Sequence, residues 1–243
     1  MENLQRVGAS FLALGVATSL AVADGPVISM ALVADGHSTT MSLDGFATGS
    51  ANVFNYHGIA TSSGADWIAA WNFNASDAGT SDGLDRVYTA GNFVVTNTSA
   101  STMIFDLVLS MPLSLAGAGL FTGSVSAGVT TEGAGSFGSV GDAPIWTATS
   151  GGTTIATLLR GPISAERTTA GSSILGTDAF GDPVPSGDAF GIANDLSVRM
   201  RFTLSAGASA SFTSVLVGTV PAPGAAALLG LGGLLMNGRR RRG

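Results

Sequence analysis

In the stretch "DLSVRMRFTLS", Leu196, Val198, Met200, Phe202 and Leu204 alternate with Ser197, Arg199, Arg201, Thr203 and Ser205. A period of two places successive side chains on opposite faces of an extended chain, so this segment predicts a half-buried strand with its arginines toward water. The same alternation recurs in "DWIAAWNF" through Trp67, Ala69, Trp71 and Phe73, and in "TMIFDLVLSM" through Met103, Phe105, Leu107, Leu109 and Met111. "PIWTATSGGTTIATLL" reads as a hairpin turning at Gly151-Gly152, and Gly207 permits a turn into a further strand, "SASFTSVLVGT", in which Val217 still lies. Strands at short spacing separated by Gly, Asn and Asp predict an all-β domain, an antiparallel β-sandwich of jelly-roll-like kind. No repeat of fixed period points to a propeller or a β-helix.

Charge narrows the partners. The chain has no lysine and no cysteine, and only 11% of its 243 residues are charged. Between residues 24 and 220 fifteen acids stand against five arginines, a net of −10. Such a surface repels phosphate backbones, which argues against nucleic acid and toward divalent cations or polyhydroxyl polymers. Without cysteine there are no disulfides and no thiolate metal sites.

Both ends read as targeting segments. "MENLQRVGASFLALGVATSLAVADG" combines Arg6, an apolar run from Val7 to about Leu20, and the small-x-small pattern Ala21-Val22-Ala23. That order predicts a helical signal peptide over 1–23, removed by signal peptidase after Ala23. The other end, "TVPAPGAAALLGLGGLLMNGRRRRG", places Val220-Pro221-Ala222-Pro223-Gly224 before an apolar run, Ala225 to Met236, and the arginines Arg239, Arg240, Arg241 and Arg242. The run is barely long enough for a membrane-spanning helix, and the arginines would hold their end on the cytoplasmic side as a stop-transfer signal. The expected organisation is a signal peptide (1–23), a β-sandwich (24–219) and a tail (220–243).

The order of Pro-x-Pro motif, short Gly/Ala/Leu helix and arginine cluster resembles the PEP-CTERM sorting signals of bacteria that secrete exopolysaccharide. Pro221 and Pro223 match the motif prolines, residues 224–236 the helix, and Arg239 to Arg242 the basic stop; Ala222 stands where the family has an acid, so that VPAPG is similar to a known variant. The resemblance implies recognition by an exosortase-like membrane enzyme after transient inner-membrane insertion. The mature protein would then reside at the cell surface or outside it, with exopolysaccharide as a possible neighbour.

Chemical motifs are sparse. "GTSDG" at 79–83 matches Gly-x-Ser-x-Gly and "GAGSFG" at 133–138 matches Gly-x-Gly-x-x-Gly, but neither has the strand-to-helix context its chemistry needs. His37 and His57 are the sole histidines, and with no Lys or Cys most nucleophile classes are missing. Paired carboxylates for glycoside chemistry would have to come from Asp77, Asp82 or Asp85 with Glu166. No cofactor is expected unless Ca²⁺ binds Asp77, Asp82 and Asp85 in one Gly-rich loop, or Asp178, Asp182 and Asp188 in another. Aspartates in such loops are also ordinary turn formers, and 74–85 and 176–188 read as surface loops. Trp67, Trp71 and Tyr56 offer either a sugar-stacking platform or core. The leading expectation is a non-enzymatic exported structural protein; a carbohydrate-binding or adhesion module and a secreted glycan hydrolase are the alternatives.

Overall fold

The computed structural model describes residues 25–50, 52–76, 84–113, 117–181, 190–192 and 195–221. The expected signal helix and apolar tail helix both lie outside these residues. Among the described residues no helix is long and apolar enough to cross a membrane.

The alternating segments become strands in two antiparallel sheets, numbered here in chain order. Sheet I runs β11 (Thr153–Leu158), β10 (Trp146–Ser150), β15 (Asp195–Leu204), β7 (Met103–Pro112), β1 (Ile28–Ala34), β2 (His37–Leu43), with β9 (Gly135–Gly138) bridging β15 to β12 (Ser164–Arg167). Sheet II runs β13 (Gly171–Phe180), β8 (Gly117–Thr131), β16 (Ala208–Pro221), β6 (Leu84–Asn97), β5 (Trp67–Ser76), β4 (Phe54–Thr61), β3 (Phe46–Ala47), with β14 (Phe190–Ile192) on β8. The chain passes repeatedly between sheets, since β6, β8 and β16 belong to one while β7, β9 and β15 belong to the other.

Inward residues of both sheets form one core. The period-two reading of β15 holds: Leu196, Val198, Met200, Phe202 and Leu204 are all buried. Phe202 stacks on Phe105 and Phe137 of its own sheet at 5.6 and 5.4 Å and meets Phe212 of the opposite sheet at 5.0 Å. Aromatic centroids at such separations add to the burial of apolar area, so Phe202 ties the sheets together. A hydrogen bond also crosses the core, where the Trp146 indole N–H donates to Ser214 Oγ at 2.8 Å. Along one side the sheet edges are stitched by Arg167 of β12, which donates to Ser172 O and Ser173 Oγ of β13.

The turns follow backbone chemistry. Gly151 and Gly152 have φ of 54° and 77°, the paired positive values of a primed two-residue hairpin turn. Gly207, at φ 69°, turns the chain between β15 and β16, which lie in opposite sheets.

Three expected boundaries move. Asn74–Ser76 extend β5, with Ala75 and Ser76 buried, and Leu84 and Asp85 begin β6, so the loop expected over 74–85 is shorter. Gly176–Phe180 are likewise strand, paired with β8. The last strand continues past residue 219: Val220 pairs with Asp85 and is 8% exposed, and Pro221 pairs with Leu84. Proline has no N–H to give a ladder, so Pro221 is tolerated at the strand end.

Candidate functional site

Of the expected sorting motif, Val220 and Pro221 lie in β16, whereas Ala222, Pro223 and Gly224 lie outside the described residues, as do Arg239 to Arg242, Ala21 and Ala23. Asp85 belongs to a strand rather than to the expected Gly-rich loop, opposite Val220. Asp77 and Asp82, like Asp182 and Asp188, lie outside the described residues. Asp178 sits in β13, not in a loop, and its carboxylate serves the backbone. Oδ2 accepts the Leu159 N–H at 3.0 Å and Oδ1 the Ala179 N–H at 2.9 Å. Leu159, with φ 49°, follows β11, so Asp178 fastens the end of one sheet to the edge of the other.

The aromatic platform is core. Tyr56 is fully buried, stacks on Phe73 at 5.1 Å and donates its hydroxyl to Pro26 O at 2.6 Å. Trp67 and Trp71 are buried as well, because their shared strand face is the inward one. "GAGSFG" is also structural: its residues 135–138 form β9, and Phe137 is buried against Phe202.

His57 is exposed on β4, with Nδ1 hydrogen-bonded to Asn55 Oδ1 at 2.9 Å and its ring stacked on Phe46 at 5.2 Å. Its partner is an amide, not a carboxylate that would orient a general base. His37 lines a cavity of about 350 Å³ with Ser62, Ser63 and Asp66. There Ser62 Oγ accepts the Asp66 N–H at 2.6 Å, closing a local turn. Glu166 lies on the rim of an open cleft of about 400 Å³ together with Asp142, a residue the sequence reading did not select, and with Ser139 and Ser164.

The outer faces of the two sheets differ. On sheet I, Asp106 of β7 receives Arg199, whose Nε donates to Oδ1 at 2.7 Å and whose second nitrogen pairs with Oδ2. This hydrogen bond, helped by the carboxylate charge and opposed by burial, holds the Arg199 guanidinium above its usual range. Arg201 approaches the same carboxylate at 3.9 Å, with its Nε buried and without a hydrogen-bond partner among the described residues.

Sheet II presents something that the sequence reading missed. Strand register lines up His57, Asn72, Asn92, Thr213, Ser126 and Thr177 in one row across β4, β5, β6, β16, β8 and β13. Neighbours in and beside this row are bonded: Thr213 donates to Asn92 Oδ1 at 2.7 Å, and Asn55 Nδ2 donates to Asn72 Oδ1 at 2.9 Å and to Asn74 Oδ1 at 3.0 Å. One parallel row pairs Thr96 with Ser209 at 2.8 Å and Thr130 with Ser172 at 2.9 Å. Between the two rows runs a less polar one containing Ile59, Ala70, Val94 and Ile174. A signal for this face was present in the polar phase of the alternating strands, which in "WNFN" and "SFTS" is amide or hydroxyl rather than charge.

No family model matches this chain, and no curated protein matches it. Among solved structures it is similar to that of TmCBM61 in complex with β-1,4-galactotriose, at 13% identity and a TM-score of 0.25, over 62% of this chain and 86% of the other. It is similar also to the structure of infectious bursal disease virus, Gx strain, at 13% identity and a TM-score of 0.26, over 88% of this chain and 54% of the other. At such TM-scores neither likeness carries an argument about function.

Proposed function

We propose that this is an exported, non-enzymatic structural protein of the cell surface or extracellular matrix, a β-sandwich delivered by its VPAPG tail. The observation that carries this reading is the continuity of β16 with the motif. The strand lies inside sheet II, between β8 and β6, and remains paired as far as Pro221. The tail therefore follows directly from a strand within the sheet. Cleavage beyond Pro221 would release a sandwich with all of β16 in place, whereas cleavage within the paired stretch would have to open the ladder. The two prolines favour an extended chain at the exit and prevent a helix in the tail from continuing back into the strand.

Intact-mass analysis of the protein recovered from envelope and medium tests the reading. The expected mature form lacks residues 1–23 and a C-terminal piece that begins just after Pro221. Recovery of a form that keeps Arg239 to Arg242, from cells that possess a sorting enzyme, would refute the sorting claim.

A further inference from the structure

The segment 24–220 carries a net charge of −10, yet none of it falls in the central rows of the outer face of sheet II; Arg86, in the outward phase of β6, lies beyond them toward the start of that strand. In the rows of sheet II that run from Asn55 to Thr61 on β4 and across to β13, no outward position holds Asp, Glu, Lys or Arg, and His57 is the sole titratable side chain. The nearest comparison is within the molecule: the outer face of sheet I carries Asp106, Arg199 and Arg201.

Such a face fits few partners. Phosphate backbones need cations, and metal ions need carboxylates, which these rows lack. The buried centre of a protein interface is enriched in Tyr, Trp, Phe, Met and Arg, none of which occupies an outward position in these rows between β4 and β13; the exposed Phe46 of β3, stacked on His57, stands at their edge. What the rows offer is amide and hydroxyl groups, each able to donate and to accept. That is the hydrogen-bonding character of a neutral polyol. Neutrality matches neutrality, since a polyanion would meet the repulsion of the whole acidic domain. Asn72, Asn74 and Asn92 are exposed, and their Nδ2 groups have no acceptor within the described residues. The rows cross the strands at the ~4.8 Å interstrand spacing, on the scale of one sugar ring. Beside them Ile59 and Val94, 74% and 37% exposed, offer apolar contact for ring C–H groups.

We infer that the outer face of sheet II binds a neutral polysaccharide, laid across the strands along the row from His57 to Thr177. Asn72 and Asn92 donate to sugar hydroxyls, and Ile59 and Val94 support the ring faces. This assignment does not depend on the tail: it names a ligand, whereas the sorting proposal names a destination.

The test is depletion of the full chain from solution by insoluble neutral polysaccharides (cellulose, cross-linked dextran, agarose and mannan), with alginate beads as the anionic comparator. Depletion by at least one neutral polymer is expected, unchanged between about 50 and 500 mM salt because no ion pairs are involved. N72D/N92D, which places two carboxylates in the row, should weaken it at least about tenfold. R199Q, on the opposite face, should leave it unchanged. If N72D/N92D shifts the unfolding midpoint, N72S/N92S replaces it, and the same loss is expected. Failure of every neutral polymer to deplete the protein overturns the inference, as does binding that survives the Asn variants or falls equally with R199Q. Sedimentation showing a dimer that N72D/N92D dissolves also overturns it, since a second copy would then occupy the face.

Discussion

Single side chains carry unequal shares of this fold. The Ser214 hydroxyl accepts the buried Trp146 N–H across the core. Ser214→Ala should leave that donor unsatisfied and cost about 1–3 kcal/mol in denaturant melts. Ser211→Ala, exposed on the same strand, should fall within about 0.5 kcal/mol of the parent. Phe202 meets three other rings, so Phe202→Ala should cost about 3–5 kcal/mol, the usual effect of emptying a buried aromatic site. Arg201→Ala, one position away, should cost no more than about 0.5 kcal/mol, because its ion pair with Asp106 is long and its side chain is 40% exposed. Equal effects of the two substitutions would contradict the orientation of β15. That orientation was legible in the residues, because inward and outward positions of one strand are a local property.

At the scale of elements, the geometry of two glycines separates turn chemistry from packing. Gly207 has open space where a Cβ would go, but its φ of 69° disfavours any L side chain. Gly207→Ala should therefore cost about 1–2 kcal/mol. Gly91, in β6, faces a different obstacle: a Cβ there would run into the Phe73 Cα and Cβ and the Asn72 carbonyl oxygen. Backbone atoms in a paired sheet cannot step aside cheaply, so Gly91→Ala should destabilise by more than Gly207→Ala. Thermal melts of the two variants would rank them, and the reverse order would mean that β5 and β6 approach less closely than described. The sequence marked Gly207 as a turn residue but gave no reason to single out Gly91. Its constraint arises from the register of β5 against β6, which no local pattern contains.

For the whole molecule, the tail and the sandwich make separable predictions. Neutral replacements of Arg239 to Arg242 should weaken membrane retention and processing of the precursor, since basic residues flanking a marginal apolar span fix its topology. Fractionation of cells that make the variant would check this, and unchanged retention and processing would count against stop-transfer. The all-β class, the inward residues of β5, β7 and β15, the hairpin at Gly151-Gly152 and the glycine turn at Gly207 were readable directly, because each rests on alternation or on a positive φ within a few residues. Pairing was not readable in this way. The strands β15 and β16 are joined by a short turn yet enter opposite sheets, whereas Asn72 and Thr213, remote in sequence, each flank Asn92 in one row. Alternation states which side chains leave the core, but only the order and register of strands decide which of them meet outside it. The charge-free rows, the Trp146–Ser214 bond and the Asp178 clasp therefore belong to the tertiary structure, while the division into two faces that makes them possible was already present in the sequence.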